Sequence, residues 1–173
     1  QKNVTLFMAN DDRFFCAYHG IIKKINLRSQ FNMSRIAFND GWLFNKSWKD
    51  GMENADYDDS SFEHVRIPHS VIEIPYNYID ENAYQMISCY RKKFAAAEAW
   101  AGKRIFVTVD GAAQVAELYV NGVSEIIHSN GYTSFSADIT DELDFGSGNV
   151  NIIAVRLNSR EDSNIPPFGK VVD

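Results

Sequence analysis

The pattern of apolar and polar positions predicts a series of short strands through the middle and end of the chain. RIFVTVD (104–110) sets Ile105, Val107 and Val109 against Arg104, Phe106, Thr108 and Asp110. Side chains alternate faces along a strand, so one face here is uniformly β-branched and the other mixed. AELYVNGVSEIIHS (116–129) places Asn121-Gly122 between two apolar runs, and Asn-Gly suits the positive φ angles of a tight hairpin turn. GYTSFSADIT (131–140) predicts another strand, with Thr140 as the cap of a helical turn starting at Asp141. NVNIIAVRLNS (149–159) is apolar on both faces from Ile152 to Val155, as expected of a central strand covered on both sides. SCYRKKFA (88–95) sets Tyr90 and Phe94 on one face and Arg91 and Lys93 on the other. AAAEAW (95–100) can form one helical turn before Gly102 stops it. Short strands with turns every eight to twelve residues indicate a β-sandwich or barrel.

Composition narrows the class without changing the fold. With 173 residues the chain can bury one sizeable core, and 45% hydrophobic with 23% charged residues is ordinary for a globular protein. A net charge of −6 argues against nucleic acid, whose binding depends on clustered Lys and Arg. The charge is uneven: residues 1–35 hold Lys2, Arg13, Lys23, Lys24, Arg28 and Arg35 against Asp11 and Asp12. Such a basic arm reads either as a docking segment or as an irregular leader packed on the body, and the second is the commoner arrangement. No stretch approaches the roughly 18 apolar residues of a membrane helix. NDDR interrupts the apolar start, so residues 1–15 are not an intact signal peptide. Cys16 and Cys89 form no CxxC and are expected as two buried free thiols.

The densest candidate chemistry is DDSSFEHVRIPHS (58–70). A metal site would need His64 and His69 to converge, yet five residues apart in an extended segment they leave opposite faces, with Pro68 between them. The stretch reads better as a turn at Asp58–Ser61, re-entry of Phe62 and Val65 into the core, and His69 as a structural or domain-facing polar residue. Asp138, Asp141, Glu142 and Asp144 share one solvated turn, which does not resemble a carboxylate pair flanking one glycosidic bond. A Ser–His–Asp triad built on His19, His64, His69 or His128 has no GxSxG elbow to support it. No cofactor and no metal is expected. Aromatic rings can stack on sugar faces, and Trp42, Trp48, Trp100, Tyr132, Tyr76, Tyr78 and Phe168 all fall near turns. Phe168, in the Pro166-Pro167 loop, is the one placed most readily outside the core.

Taken in order, FNDGWLF (38–44), DDSSFEHVRIPHS (58–70), YRKKF (90–94), WAGKRIFVTVDG (100–111), AELYVNG (116–122), HSNGYTSFSADIT (128–140) and GNVNIIAVRLNS (148–159) resemble a known family. They are similar to the N-terminal sugar-binding domain of family 2 glycoside hydrolases, the β-galactosidase and β-glucuronidase group. The resemblance implies an all-β jelly-roll sandwich of the galactose-binding-like type over residues 29–173, with residues 1–28 an unassigned extension. It implies a non-catalytic domain that packs on an immunoglobulin-like domain and a TIM barrel carrying the catalytic glutamates. It also implies a carbohydrate of the β-galactoside or β-glucuronide type as ligand. Asp173 is the carry-over candidate for a sugar-contacting aspartate, with Phe168 beside it, and the chain is expected to be a piece of a longer, homo-oligomeric enzyme. Family members occur in the bacterial cytoplasm and in the periplasm or outside the cell. A self-sufficient carbohydrate-binding module and a purely structural interaction domain are the rival readings.

Overall fold

The computed structural model describes residues 4–9, 33–72, 80 and 82–165. Among these, the chain forms β1 (Val4–Ala9), β2 (Met33–Ala37), β3 (Trp42–Asn45), β4 (Glu63–Val65), β5 (Ile87–Phe94), β6 (Arg104–Val109), β7 (Val115–Val120), β8 (Val123–Ser129), β9 (Phe135–Asp138) and β10 (Asn151–Asn158). Two antiparallel sheets result, a four-stranded one in the order β2-β1-β6-β9 and a six-stranded one in the order β4-β3-β5-β10-β7-β8. The fold is the all-β sandwich that the resemblance implies, one of the two architectures, sandwich or barrel, that the pattern allows.

The inward faces follow directly from alternation. Val4, Leu6 and Met8 of β1 and Ile105, Val107 and Val109 of β6 meet Ala116, Leu118 and Val120 of β7 and Ile153 and Val155 of β10 in one core. Trp42 is buried there with its indole N–H donating to the Phe38 carbonyl at 2.7 Å, so its polar edge is not orphaned. Leu118 is fully buried on the inner face of the larger sheet. Leu118→Ala is expected to cost about 3 kcal/mol through lost transfer energy and the cavity left behind. In denaturant titration this should appear as a lower midpoint at an unchanged slope.

The Asn121-Gly122 hairpin forms as expected between β7 and β8, with φ of 48° at Asn121 and 91° at Gly122. β10 is central, held between β5 and β7. The turn after Ala97 is a short 3-10 helix at Glu98–Trp100. Two expectations shift. The strand predicted over residues 131–140 is confined to Phe135–Asp138. Thr140 also caps no helix, because its hydroxyl bonds the Asp138 carboxylate and accepts from the Ile105 amide across the sheet.

The larger difference lies on the outer face of the six-stranded sheet. Residues 48–62 fold back over it and build a second, smaller core from Met52, Phe62 and Cys89, flanked by Leu43, Trp48 and Tyr57. Ala154, one of the smallest apolar residues, is fully buried on that face of β10. Beside it Trp48 stacks on Tyr119 with centroids 5.5 Å apart. Arg91, which alternation assigns to the face away from Tyr90, therefore ends fully buried rather than solvated.

Candidate functional site

At one end of the sandwich the two sheets part around a cavity of about 490 Å³. Val4 and Val109 contribute from the smaller sheet and Trp42, Val155 and Leu157 from the larger one. The segment Ile67–Ile72, with Tyr84, Ser159 and Gly111–Ala113, forms the rest of the wall. The sequence brings these groups together for a local reason. β4 ends at Val65, and the Ile67 amide then bonds the Asn39 carbonyl at 2.9 Å, which delivers Pro68 and His69 to the sandwich end.

His69 packs on Phe44 with ring centroids 4.7 Å apart, and its Nδ1 lies 3.0 Å from the Tyr90 hydroxyl. Burial pushes the Tyr90 phenol up, with Glu63 adding to the shift, so it keeps its proton. A protonated phenol can donate to Nδ1 only while the imidazole is neutral. Burial holds His69 below the usual histidine range, partly opposed by the charge of Glu63. The unfolded chain then binds more protons than the folded one near and below pH 6.5, so stability should fall as pH drops through that region. His69→Gln, which keeps a polar group without the titration, is expected to flatten this part of the stability–pH curve measured by chemical denaturation.

The opening acids of residues 58–70 divide. Asp58 Oδ1 accepts from the Ser60 amide at 3.0 Å, which is the expected turn. Asp59 turns inward instead: its carboxylate meets Arg91 Nε at 3.1 Å and Lys93 Nζ at 2.7 Å. Burial alone would raise its pKa, but the contacts with Lys93 and Arg91 outweigh it and hold the carboxyl below the usual range. Phe62 enters the small core and Val65 packs against the main one, as expected. His64 stands exposed on the edge strand β4, on a different element from His69's cavity wall. Among the described residues no three His, Cys, Asp or Glu side chains lie close enough to hold a metal ion.

The other nominated residues are spread out. Asp138 pairs with Arg104 and is held ionised: burial would raise its pKa, but hydrogen bonds from Thr140 and Arg104 win. The backbone of Asp144 is clamped by the Asn151 amide. His128 stacks on Phe135 and sits 3.0 Å from the Thr133 hydroxyl. Cys89 is a buried free thiol, pushed up to about 12 by burial. Trp100 packs at the edge of the main core, while Tyr132 is 70% exposed in the loop after β8. Phe168, Asp173, Tyr76, Tyr78, His19 and Cys16 lie outside the described residues. Sequence reasoning did not nominate Tyr90, Tyr84 or Ser159 for the cavity, and named His69 only as a structural or domain-facing polar residue.

The family model "Glycosyl hydrolases family 2, sugar binding domain" matches residues 39–165. The chain belongs to this family. Within it, the domain is 39% identical over 138 residues to a beta-galactosidase of Thermoanaerobacter pseudethanolicus, a match spanning 80% of the chain and 18% of that protein. A beta-glucuronidase of Formosa agariphila is 29% identical over 130 residues, spanning 70% of the chain and 13% of that protein. Among solved structures, beta-glucuronidase 2 of Bacteroides uniformis superposes with a TM-score of 0.67 at 28% identity. That match covers 76% of this chain and 15% of the other one. The domain thus spans less than a fifth of the length of the relatives it matches.

Proposed function

We propose that this chain is the non-catalytic N-terminal domain, with Val4–Ala9 built into its smaller sheet, of a longer family 2 glycoside hydrolase of the β-galactosidase or β-glucuronidase type. In that enzyme it shapes the substrate entrance and braces an immunoglobulin-like domain and a catalytic TIM barrel. The observation that carries this reading is the family match over residues 39–165 together with relatives that are several times longer and named for glycosidase activity. Asp173 and Phe168 are the proposed contacts to a β-galactoside or β-glucuronide.

Kinetics on the full-length product test the reading with nitrophenyl galactosides and glucuronides. The 173-residue chain should hydrolyse neither substrate, and turnover by it alone would overturn the non-catalytic assignment. In the full-length enzyme, Asp173→Ala is expected to lower kcat/KM by about tenfold or more, the scale of one lost charged hydrogen bond. An unchanged kcat/KM would remove Asp173 from the substrate site.

A second reading, a self-sufficient carbohydrate-binding module, draws on the outer face of the larger sheet. There Trp48 stacks on Tyr119 beside the Glu117–Arg156 pair, an aromatic platform with planar polar groups next to it. Calorimetry of the chain against both sugar classes separates the two. Micromolar to low-millimolar affinity that is lost in Trp48→Ala favours the module.

A further inference from the structure

We propose that the cavity at the end of the sandwich is a socket for a bulky apolar side chain carried by the polypeptide that follows this domain in the full-length enzyme. The proposal rests on the reading of the chain as one domain of a longer hydrolase, and names where and how its neighbour is gripped.

Three observations carry it. The first is chemistry. Two hydroxyls of the wall are already engaged within the domain: that of Tyr90 with His69 Nδ1, and that of Ser159 with the carbonyls of Tyr84 and Met86. A sugar ring needs donors and acceptors directed at its hydroxyls. Walls of Val4, Trp42, Val109, Val155 and Leu157 offer dispersion and dry burial instead.

The second is position. β10 is the last strand described, and Leu157 and Ser159 at its end form part of the cavity wall. The relatives matched here continue well beyond this domain, since it accounts for 18% of the Thermoanaerobacter beta-galactosidase. Polypeptide that follows the domain is therefore joined, through the residues after Ile165, to a strand whose end forms part of the cavity wall.

The third is the way the exit is held. The Ser159 amide bonds the Met86 carbonyl at 2.9 Å, and the Tyr84 hydroxyl donates to Glu161 at 3.2 Å. A tether fixed at the mouth gives the following chain a high effective concentration there, so a modest apolar insertion is well populated. Because the cavity draws its walls from both sheets, an inserted side chain bridges them, and docking and sandwich stability become linked.

The test compares the 173-residue chain with the full-length gene product, both carrying Cys16→Ser and Ser70→Cys. Ser70 is an exposed residue of the cavity wall. Thiol labelling is followed at position 70 by peptide mass spectrometry. Labelling is expected to be at least about tenfold slower in the full-length product, the effect of a docking equilibrium worth one decade. Val71→Asp, which puts a charge on the wall, should restore the fast rate in the full-length product and leave the chain's rate unchanged. Equal rates in chain and full-length product overturn the proposal, and so does protection that survives Val71→Asp. Protection of the isolated chain that grows with its concentration would make a second copy the occupant, and protection by nitrophenyl glycoside would make it a ligand site. Either result also overturns it. Activity is assayed on the same samples. A full-length product that protects position 70 but hydrolyses no glycoside would sink the functional reading and keep the socket.

Discussion

Asp59→Ala should lower folding stability by about 3–5 kcal/mol, the scale seen when one member of a buried ion pair is removed. The side chain of Arg91 is 0% exposed and that of Asp59 is 8% exposed, so the guanidinium left behind could not turn to water. Arg91 Nη1 already donates to the Met52 and Asn54 carbonyls, and Nη2 has no hydrogen-bond partner among the described residues. Losing the carboxylate would leave a charge with only dipoles around it. The same change frees the covering segment, so the Cys89 thiol beneath it should become reactive to thiol reagents in the variant and stay inert in the wild type. Asp59→Leu with Arg91→Met is expected to recover most of the loss, because replacing a whole buried pair by apolar groups of similar size is often neutral. A single-variant effect under about 1 kcal/mol would place the pair with ordinary surface bridges and refute its buried role. The carboxyl of Asp59 is held below its usual value. Its contribution is therefore complete above the ordinary aspartate pKa and is lost as pH falls through the lower, folded-state value.

Asn151→Ala is the second large effect, expected at about 3 kcal/mol from several buried hydrogen bonds left half-made. Asn151 is fully buried. Its Oδ1 accepts from the Asp144 amide at 2.8 Å and from Asn121 Nδ2 at 2.9 Å, while its Nδ2 donates to the Asp144 carbonyl at 2.8 Å. Asn121 in turn accepts from the Ile152 amide and donates to the Glu142 carbonyl. The pair stitches the β7–β8 turn to the loop before β10. Hydrogen exchange gives a local readout: the Asp144 amide should lose protection in Asn151→Ala well before the β10 amides do. If both lose protection together, the network has no local function and the variant acts only through global stability. Asn151→Asp should do no better than alanine, since a carboxylate cannot donate to the Asp144 carbonyl and brings a buried charge.

Both residues show where reading the sequence runs out. Asn121 is legible as a turn residue because positive φ is a local demand, and the structure places it at 48°. That the same side chain also holds Asn151, thirty residues away, follows only once the two strands flank one another. Val4–Ala9 carries a clean alternation of Val4, Leu6 and Met8, yet in sequence it stands beside a charged run and reads as leader. In the fold it lies between β2 and β6 with Leu6 fully buried. The candidate site divides the same way. His69 could be read as structural or domain-facing, but its Tyr90 partner and the cavity they share come from elements 21 residues apart.

By itself, then, the sequence determined the strands of the second half, their inward faces, the Asn-Gly hairpin, the centrality of β10 and the family. The strands, the hairpin and the place of β10 rest on local periodicity or turn chemistry, which neighbouring residues specify without reference to the rest of the chain, whereas the family rests on the resemblance of the ordered series of motifs. Tertiary structure alone decided the solvation of the outward positions. Arg91 stands on the face opposite Tyr90 by alternation and becomes a buried ion by packing, because a segment thirty to forty residues earlier folds over its face of the sheet. Alternation tells which side of a sheet a side chain takes; only the placement of distant chain tells whether that side meets water.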